Sequence, residues 1–211
     1  MRIVVKRDVL HALLLWPQRG LFAGAVLLLG YCGWVLTDTW LFQQRESRHF
    51  ERLLDQRRAV SQNPEVPAAP IALTGQKGLI GRIEIARLGL SAIIMEGDDR
   101  RTLRRAVGHM PGTPWPGQNG NVVLTGHRDT FFRPLRNINR DDIIALTTLQ
   151  GQYRYRVLST QVVSPDDLSI LDPSQNEILT LITCHPFYFV GAAPNRFIVR
   201  AERMSENENH D

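Results

Sequence analysis

The hydrophobic pattern divides the chain into an apolar front and a finely alternating body. From Gly20 to Thr37 eighteen consecutive residues carry no charge. That length is near the roughly 20 residues needed to cross a hydrocarbon core of about 30 Å. Gln43 to Val60 then mixes Arg with Glu46, Glu51 and Asp55, and predicts a solvated helical stalk with pairs one turn apart. Asn63 to Pro70 holds three prolines and reads as a linker. Beyond it the period shortens to two. Arg82–Ile85, Leu90–Met95, Asn121–Thr125, Ile143–Leu149, Gln152–Val157, Ile178–Thr183 and Arg196–Ala201 read as strands, with Gln150-Gly151 as a turn. Asp98 to Val107 is the one clear helix of this region, capped by Asp98 or Asp99, with Leu103, Ala106 and Val107 as its apolar face. Seven or eight short strands with Gly/Pro turns imply a mainly β domain, a closed barrel or a sandwich.

Composition narrows the class. The chain has 211 residues, room for one ordinary domain plus an anchor or tail. The net charge of +4 comes from scattered arginines, with no basic patch interleaved with stacking aromatics, which argues against nucleic acid as a partner. Trp16 suits one membrane interface and Tyr31, Trp34 and Trp40 the other. Thr37-Asp38-Thr39-Trp40 lacks a small-x-small cleavage site, so an uncleaved signal anchor is expected in place of a cleaved signal peptide. Basic residues flank the span on both sides (Arg2, Lys6, Arg7 and Arg19 before it; Arg45, Arg48, Arg52 and Arg57 after), so charge alone does not orient it.

Only two cysteines are present, Cys32 in the apolar run and Cys184 in the body. A bond between them is excluded if Cys32 spans a membrane, so Cys184 is expected to be a free thiol. It ends the segment Leu179-Thr180-Leu181-Ile182-Thr183-Cys184, and Pro186 prevents regular continuation. His127 ends another apolar segment in Thr125-Gly126-His127-Arg128, where Gly126 is expected to let the backbone turn tightly. Arg196 opens the alternating Arg196-Phe197-Ile198-Val199-Arg200. Read singly, Cys184 also fits a buried structural thiol and Arg196 a surface charge. Together the three types suffice for thiol acyl transfer: a thiolate attacks a carbonyl, an imidazole handles protons, a guanidinium holds the oxyanion. His109, before a Pro/Gly-rich loop, reads as structural. No C-x-x-C pair exists, and neither a metal nor another cofactor is expected.

These segments, with Gly108-His109-Met110-Pro111-Gly112-Thr113, Pro116-Gly117-Gln118-Asn119-Gly120-Asn121 and Cys184-His185-Pro186-Phe187-Tyr188-Phe189-Val190-Gly191, resemble the sortase family of cysteine transpeptidases from about Leu79 to Ala201. The Cys184 stretch is most similar to class D sortases, which usually carry Tyr where this chain has His185. Asp141-Asp142 is a second departure, where the family more often shows Gly-Asp before a strand. The resemblance selects an eight-stranded β-barrel with one or two short helices, preceded by the transmembrane helix. It implies that His127, Cys184 and Arg196 are catalytic, and that Thr183, Leu168, Leu171 and His185 belong to the substrate site, with the loop from Val163 to Glu177 forming part of a groove. His185 either tunes Cys184 electrostatically or packs against the rim.

The expected organisation is a cytoplasmic segment over 1–19, a signal anchor over 20–42, stalk and linker over 43–74, a catalytic barrel over 75–204 outside the cytoplasm, and a disordered tail over 205–211. The implied partners are secreted proteins with a C-terminal LPxTG-like sorting signal, an amine acceptor from a cell-wall precursor or a protein subunit, and the membrane. The residues alone leave open a cysteine peptidase, in which water resolves the thioester, and a non-catalytic envelope scaffold.

Overall fold

The computed structural model describes residues 7–61, 78–189 and 191–205. The Pro-rich linker from Asn63 to Pro70, the segment before Arg7 and the tail after Ser205 lie outside the described residues. The chain divides into two units, Met1–Phe42 and Gln43–Asp211. Helix α1 runs from Arg7 to Ser61. Within it lies an apolar, unburied stretch long enough to cross a membrane.

Eight strands form a closed barrel: β1 (Leu79–Ile85), β2 (Leu90–Glu96), β3 (Val107–His109), β4 (Gly120–Thr125), β5 (Ile143–Thr148), β6 (Gln152–Val163), β7 (Glu177–His185) and β8 (Asn195–Arg203), in the order β1-β2-β3-β4-β7-β8-β6-β5. Closure leaves no edge strand. Two pairs are parallel, β2 with β3 and β4 with β7; the others are antiparallel. Strand β3 is absent from the sequence reading, since three residues are too few to show a period. It displaces the end of the expected helix. Helix α2 covers only Arg100–Arg105, capped by Asp99, whose side chain accepts from the amides of Arg101 and Thr102. Ala106 and Val107 are fully buried, but as the cap and the first strand residue and not as a helical face.

Alternation sends the two faces of β4, β7 and β8 into different surroundings. Val122, Leu124, Leu179, Leu181, Val199 and Ala201 fill the barrel interior. Val123, Ile182 and Ile198 point the other way and pack with Ile170, Met110, Val163 and Leu171. The loop between β6 and β7, with its 3-10 turn Leu168–Leu171, is held over this outer face by Asn121. Its Nδ2 donates to the carbonyls of Ile170 (2.9 Å) and Asp172 (3.3 Å), and its Oδ1 accepts from Thr180 Oγ1 (2.6 Å). A buried amide must find such partners, which makes it an effective pin for the loop.

The expected solvated stalk is corrected over its first part. Phe50 is fully buried with Leu79 and Ile93, and Leu53 and Leu54 pack against them. Glu51 pairs with Arg82 of β1 at 2.7 Å and not with an arginine one turn away, whereas Asp55 does pair along the helix with Arg58. Gln43 donates to the Arg105 carbonyl (2.6 Å) and accepts from the Ile93 amide (3.0 Å). The compact unit around the barrel therefore begins at Gln43, upstream of the expected boundary at 75.

The Asp141-Asp142 departure has a local cause. Asp141 has φ +68°, the left-handed region that glycine adopts without cost and Asp tolerates better than most residues. Asp142 is buried, bonded to the Arg87 guanidinium and to the Asn139 amide (2.7 Å). The Arg87 hydrogen bond foremost holds its carboxyl below the usual carboxylate range.

Candidate active site

The ends of β4, β7 and β8 meet at one rim. In the antiparallel β7–β8 pair Cys184 stands directly opposite Arg196. In the parallel β4–β7 pair Thr125 is level with Ile182, and His127 follows two residues beyond the end of β4. Strand alternation places Cys184 and Arg196 on the outer face that carries Ile182 and Ile198. Cys184 and Arg196 thus form a pair one step beyond an apolar row on the same face, and His127 joins them from the end of β4. All three are half-buried and line one cleft of about 370 Å³ with Arg128, Asp129, Gly191, Ala192 and Ala193.

The backbone before His127 is locked to β7 on both sides. The Gly126 amide donates to the Ile182 carbonyl (3.1 Å), and the Gly126 carbonyl accepts from Thr183 Oγ1 (2.7 Å). The reason for glycine here differs from the expected tight turn. Gly126 is not among the residues with positive φ. A Cβ at this position would lie 2.7 Å from Cδ2 of the fully buried Phe132. Glycine is needed for the close approach of an aromatic ring, and the Phe132 amide in turn donates to the His127 carbonyl (3.0 Å).

Arg196 is held by its own loop. Nη1 donates to the carbonyls of Asn195 (3.1 Å) and Ala193 (3.4 Å). A guanidinium has five N–H donors, so others remain for a ligand in the cleft. Formal charge in the cleft favours anions, with Arg128 and Arg196 against the exposed Asp129. Both cysteines are free thiols. A thiol, an imidazole and a guanidinium in one half-buried cleft can carry a nucleophilic attack, a proton transfer and stabilisation of an oxyanion.

The residues expected at the substrate site are dispersed. Thr183 is buried and occupied with Gly126. Leu171 packs on the outer apolar cluster, while Leu168 is 68% exposed. Neither leucine lines the cleft. His185 alternates away from Cys184. Its ring stacks against Phe197 (6.3 Å between centroids) and meets Phe187 edge-on (6.1 Å), and its Nδ1 is buried without a hydrogen-bond partner. Among the described residues its contacts are those of packing beneath the rim. His109 also stands apart from the cleft. It is buried, bonded to Glu96 (2.8 Å) and the Pro114 carbonyl (3.0 Å), and stacked on Trp115. Sequence reasoning passed over Arg128 and Asp129, although both directly follow His127.

A family model described as the sortase domain matches residues 83–204. The chain is 30% identical over 197 residues to sortase D of Bacillus subtilis strain 168, covering 88% of this chain and 96% of that protein. Among solved structures, sortase C-1 of Actinomyces oris superposes with a TM-score of 0.58 at 27% identity, covering 74% of this chain and 99% of its own. A Clostridium perfringens sortase D5 transpeptidase shares the fold with a TM-score of 0.62 at 23% identity, covering 78% and 99%. With the barrel, the rim cleft and these similarities together, the chain belongs to the sortase family, the cysteine transpeptidases.

Proposed function

We propose that this chain is a membrane-anchored, class D-like sortase that joins the C-terminal sorting signal of a secreted protein to an amine. The Cys184 thiolate attacks a backbone carbonyl within an LPxTG-like motif, and the carbonyl carbon becomes tetrahedral. Arg196 donates hydrogen bonds to the oxyanion. The C–N bond breaks as His127 gives a proton to the leaving amine, and the acyl group stays on sulfur as a thioester. An acceptor amine then attacks, loses a proton to His127, and releases Cys184. Each proton and electron pair is accounted for without a cofactor.

The observation that carries this reading is the direct pairing of Cys184 with Arg196 in a cleft that His127 also lines. The outer apolar cluster of Val123, Ile182 and Ile198, covered by Ile170 and Leu171, supports a role in receiving the apolar residues of the signal, since it continues the row on which Cys184 and Arg196 stand. The apolar stretch of α1 supports anchoring; the placement of the barrel outside the cytoplasm rests on the similarity to sortases.

The test is intact-protein mass spectrometry of the full chain against a panel of signal peptides. A mass increase on Cys184, lost in Cys184→Ala, is the expected result. An added amine should convert the adduct to a transpeptidation product. Hydrolysed peptide alone at saturating amine would make the protein a peptidase, and an absent adduct throughout the panel would reject this substrate class.

A further inference from the structure

Arg128 crosses from the His127 side of the cleft to the other side. Its Nη1 donates to the Pro186 carbonyl (3.1 Å), and its Nη2 donates to the carbonyls of Phe189 (2.7 Å) and Gly191 (2.9 Å). The guanidinium carbon lies 5.9 Å from the centre of the Phe189 ring. Those three carbonyls belong to the connection between β7 and β8, which leads from Cys184 back to Arg196. No strand ladder satisfies the backbone of the described residues between His185 and Asn195, so their carbonyls need other donors. A planar fork with five N–H groups reaches three at once, where an ammonium on a flexible stem acts as a single point charge. The aromatic face adds attraction for the cation.

The His127 side makes this contact consequential. Among the described residues no hydrogen bond to another group holds the His127 imidazole. Its position depends on the backbone before and after it. The residue before, Gly126, is bonded to β7 through Ile182 and Thr183. The residue after is Arg128. The two anchors lead to opposite ends of one route, the strand that delivers Cys184 and the loop that delivers Arg196.

We propose that Arg128 is a positioning residue for the transfer reaction. By tying the residue next to His127 to the connection between Cys184 and Arg196, it sets the spacing of imidazole and thiol. It also steadies the loop whose Ala193 carbonyl accepts from Arg196. The proposal rests on the catalytic reading given above. It concerns Arg128 through its neighbours and assigns it no contact with substrate.

The test uses the full chain in detergent with Cys32→Ala, which leaves Cys184 as its single thiol. Wild-type Arg128, Arg128→Lys and Arg128→Ala are compared in two ways. The first needs no substrate: the pH dependence of Cys184 alkylation by iodoacetamide, in a cleft whose other ionisable side chains are His127, Asp129 and Arg196. Loss of the fork should move the midpoint of that profile, and Lys should move it about as far as Ala. The second is peptide turnover. A misplacement on the order of 1 Å can cost roughly a hundredfold, so kcat should fall by about ten- to a hundredfold in both variants while KM stays within about threefold.

A wild-type profile and rate in Arg128→Lys would show that charge alone suffices and overturn the proposal. A loss carried wholly by KM would also overturn it, by making Arg128 a substrate contact. If Arg128→Ala fails to fold, Phe189→Leu takes its place. It keeps the three hydrogen bonds and removes the ring, so a smaller change in the same direction is expected, and no change in either Phe189→Leu or Arg128→Lys would reject positioning. If the parent enzyme forms no adduct with any peptide, the functional reading fails while the alkylation profiles still decide the geometry.

Discussion

Cys184 and Arg196 are direct partners across the antiparallel β7–β8 pair, so the register of one sheet brings thiol and guanidinium together. Opposed residues in such a pair have Cβ atoms about 4.5–5.5 Å apart, a spacing that fits both side chains around a single carbonyl. Arg196→Ala should therefore lower kcat by about 10²–10³, the usual cost of losing one preorganised oxyanion donor. Arg196→Lys should recover little, because the planar fork is lost. Steady-state kinetics on a signal peptide measures both, and wild-type turnover in Arg196→Lys would remove the clamp role.

His127 reaches the cleft from a third strand, so its contribution should separate from that of Arg196. His127→Ala should reduce kcat by on the order of 10²–10⁴, the usual range for a positioned acid or base. Cys184→Ala should abolish turnover altogether, since Cys32 is the only other cysteine. Single-turnover assays of acyl-enzyme formation distinguish these losses from slow product release.

Gly126→Ala tests the close approach of Phe132. The new Cβ would stand 2.7 Å from Phe132 Cδ2, and the Gly126 amide and carbonyl are both already bonded to β7. Something must shift, and the ring or the His127 backbone is what can. Overpacking of this kind typically costs about 1–3 kcal/mol. Urea unfolding should show that loss together with a drop in kcat, and Phe132→Leu in the same chain should restore part of each.

The helical segment after Gln43 should stabilise the barrel without taking part in catalysis. Phe50→Ala should cost about 3–5 kcal/mol, the range for emptying a buried aromatic site. A chain beginning at Leu73 should be less stable than one beginning at Gln43, because Leu79 and Ile93 lose their cover. Among the described residues none before His127 lines the cleft, so kcat per folded molecule should be unchanged. Equal denaturation midpoints for the two chains would contradict the packing argument.

Asp142 should make stability depend on acid pH. Its carboxyl is held below the usual range, first by the Arg87 hydrogen bond and also by the Asn139 amide. A lowered native value means that the unfolded chain binds the proton more readily. The stabilisation is present above the unfolded carboxylate value of about 3.9 and is lost as pH falls through the native one. Asp142→Asn should lower stability near neutrality by about 1–3 kcal/mol and flatten the decline below about pH 4, as read by thermal unfolding across that range.

Period and punctuation determined much of this protein. Seven of the eight strands are visible, some as segments alternating with a period of two and others as short apolar runs bounded by turn residues. The long apolar run is visible because nothing in a soluble domain of this size requires eighteen uncharged residues in a row. The candidate residues His127, Cys184 and Arg196 stood out because each lies where such a segment begins or ends. Tertiary structure decided the rest. Strand β3 has too few residues for a pattern, and it depends on β2 and β4 for its pairing. Phe50 became core because Leu79 and Ile93, far along the chain, present a face that covers it. Gly126 reads as a turn residue in the sequence, but its neighbour Phe132 accounts for it by steric contact. Arg128 looked like one more arginine among many. Only the fold brings the three carbonyls of the β7–β8 connection within reach of its fork, since a hydrogen bond across some 60 residues depends on a register that local sequence does not encode.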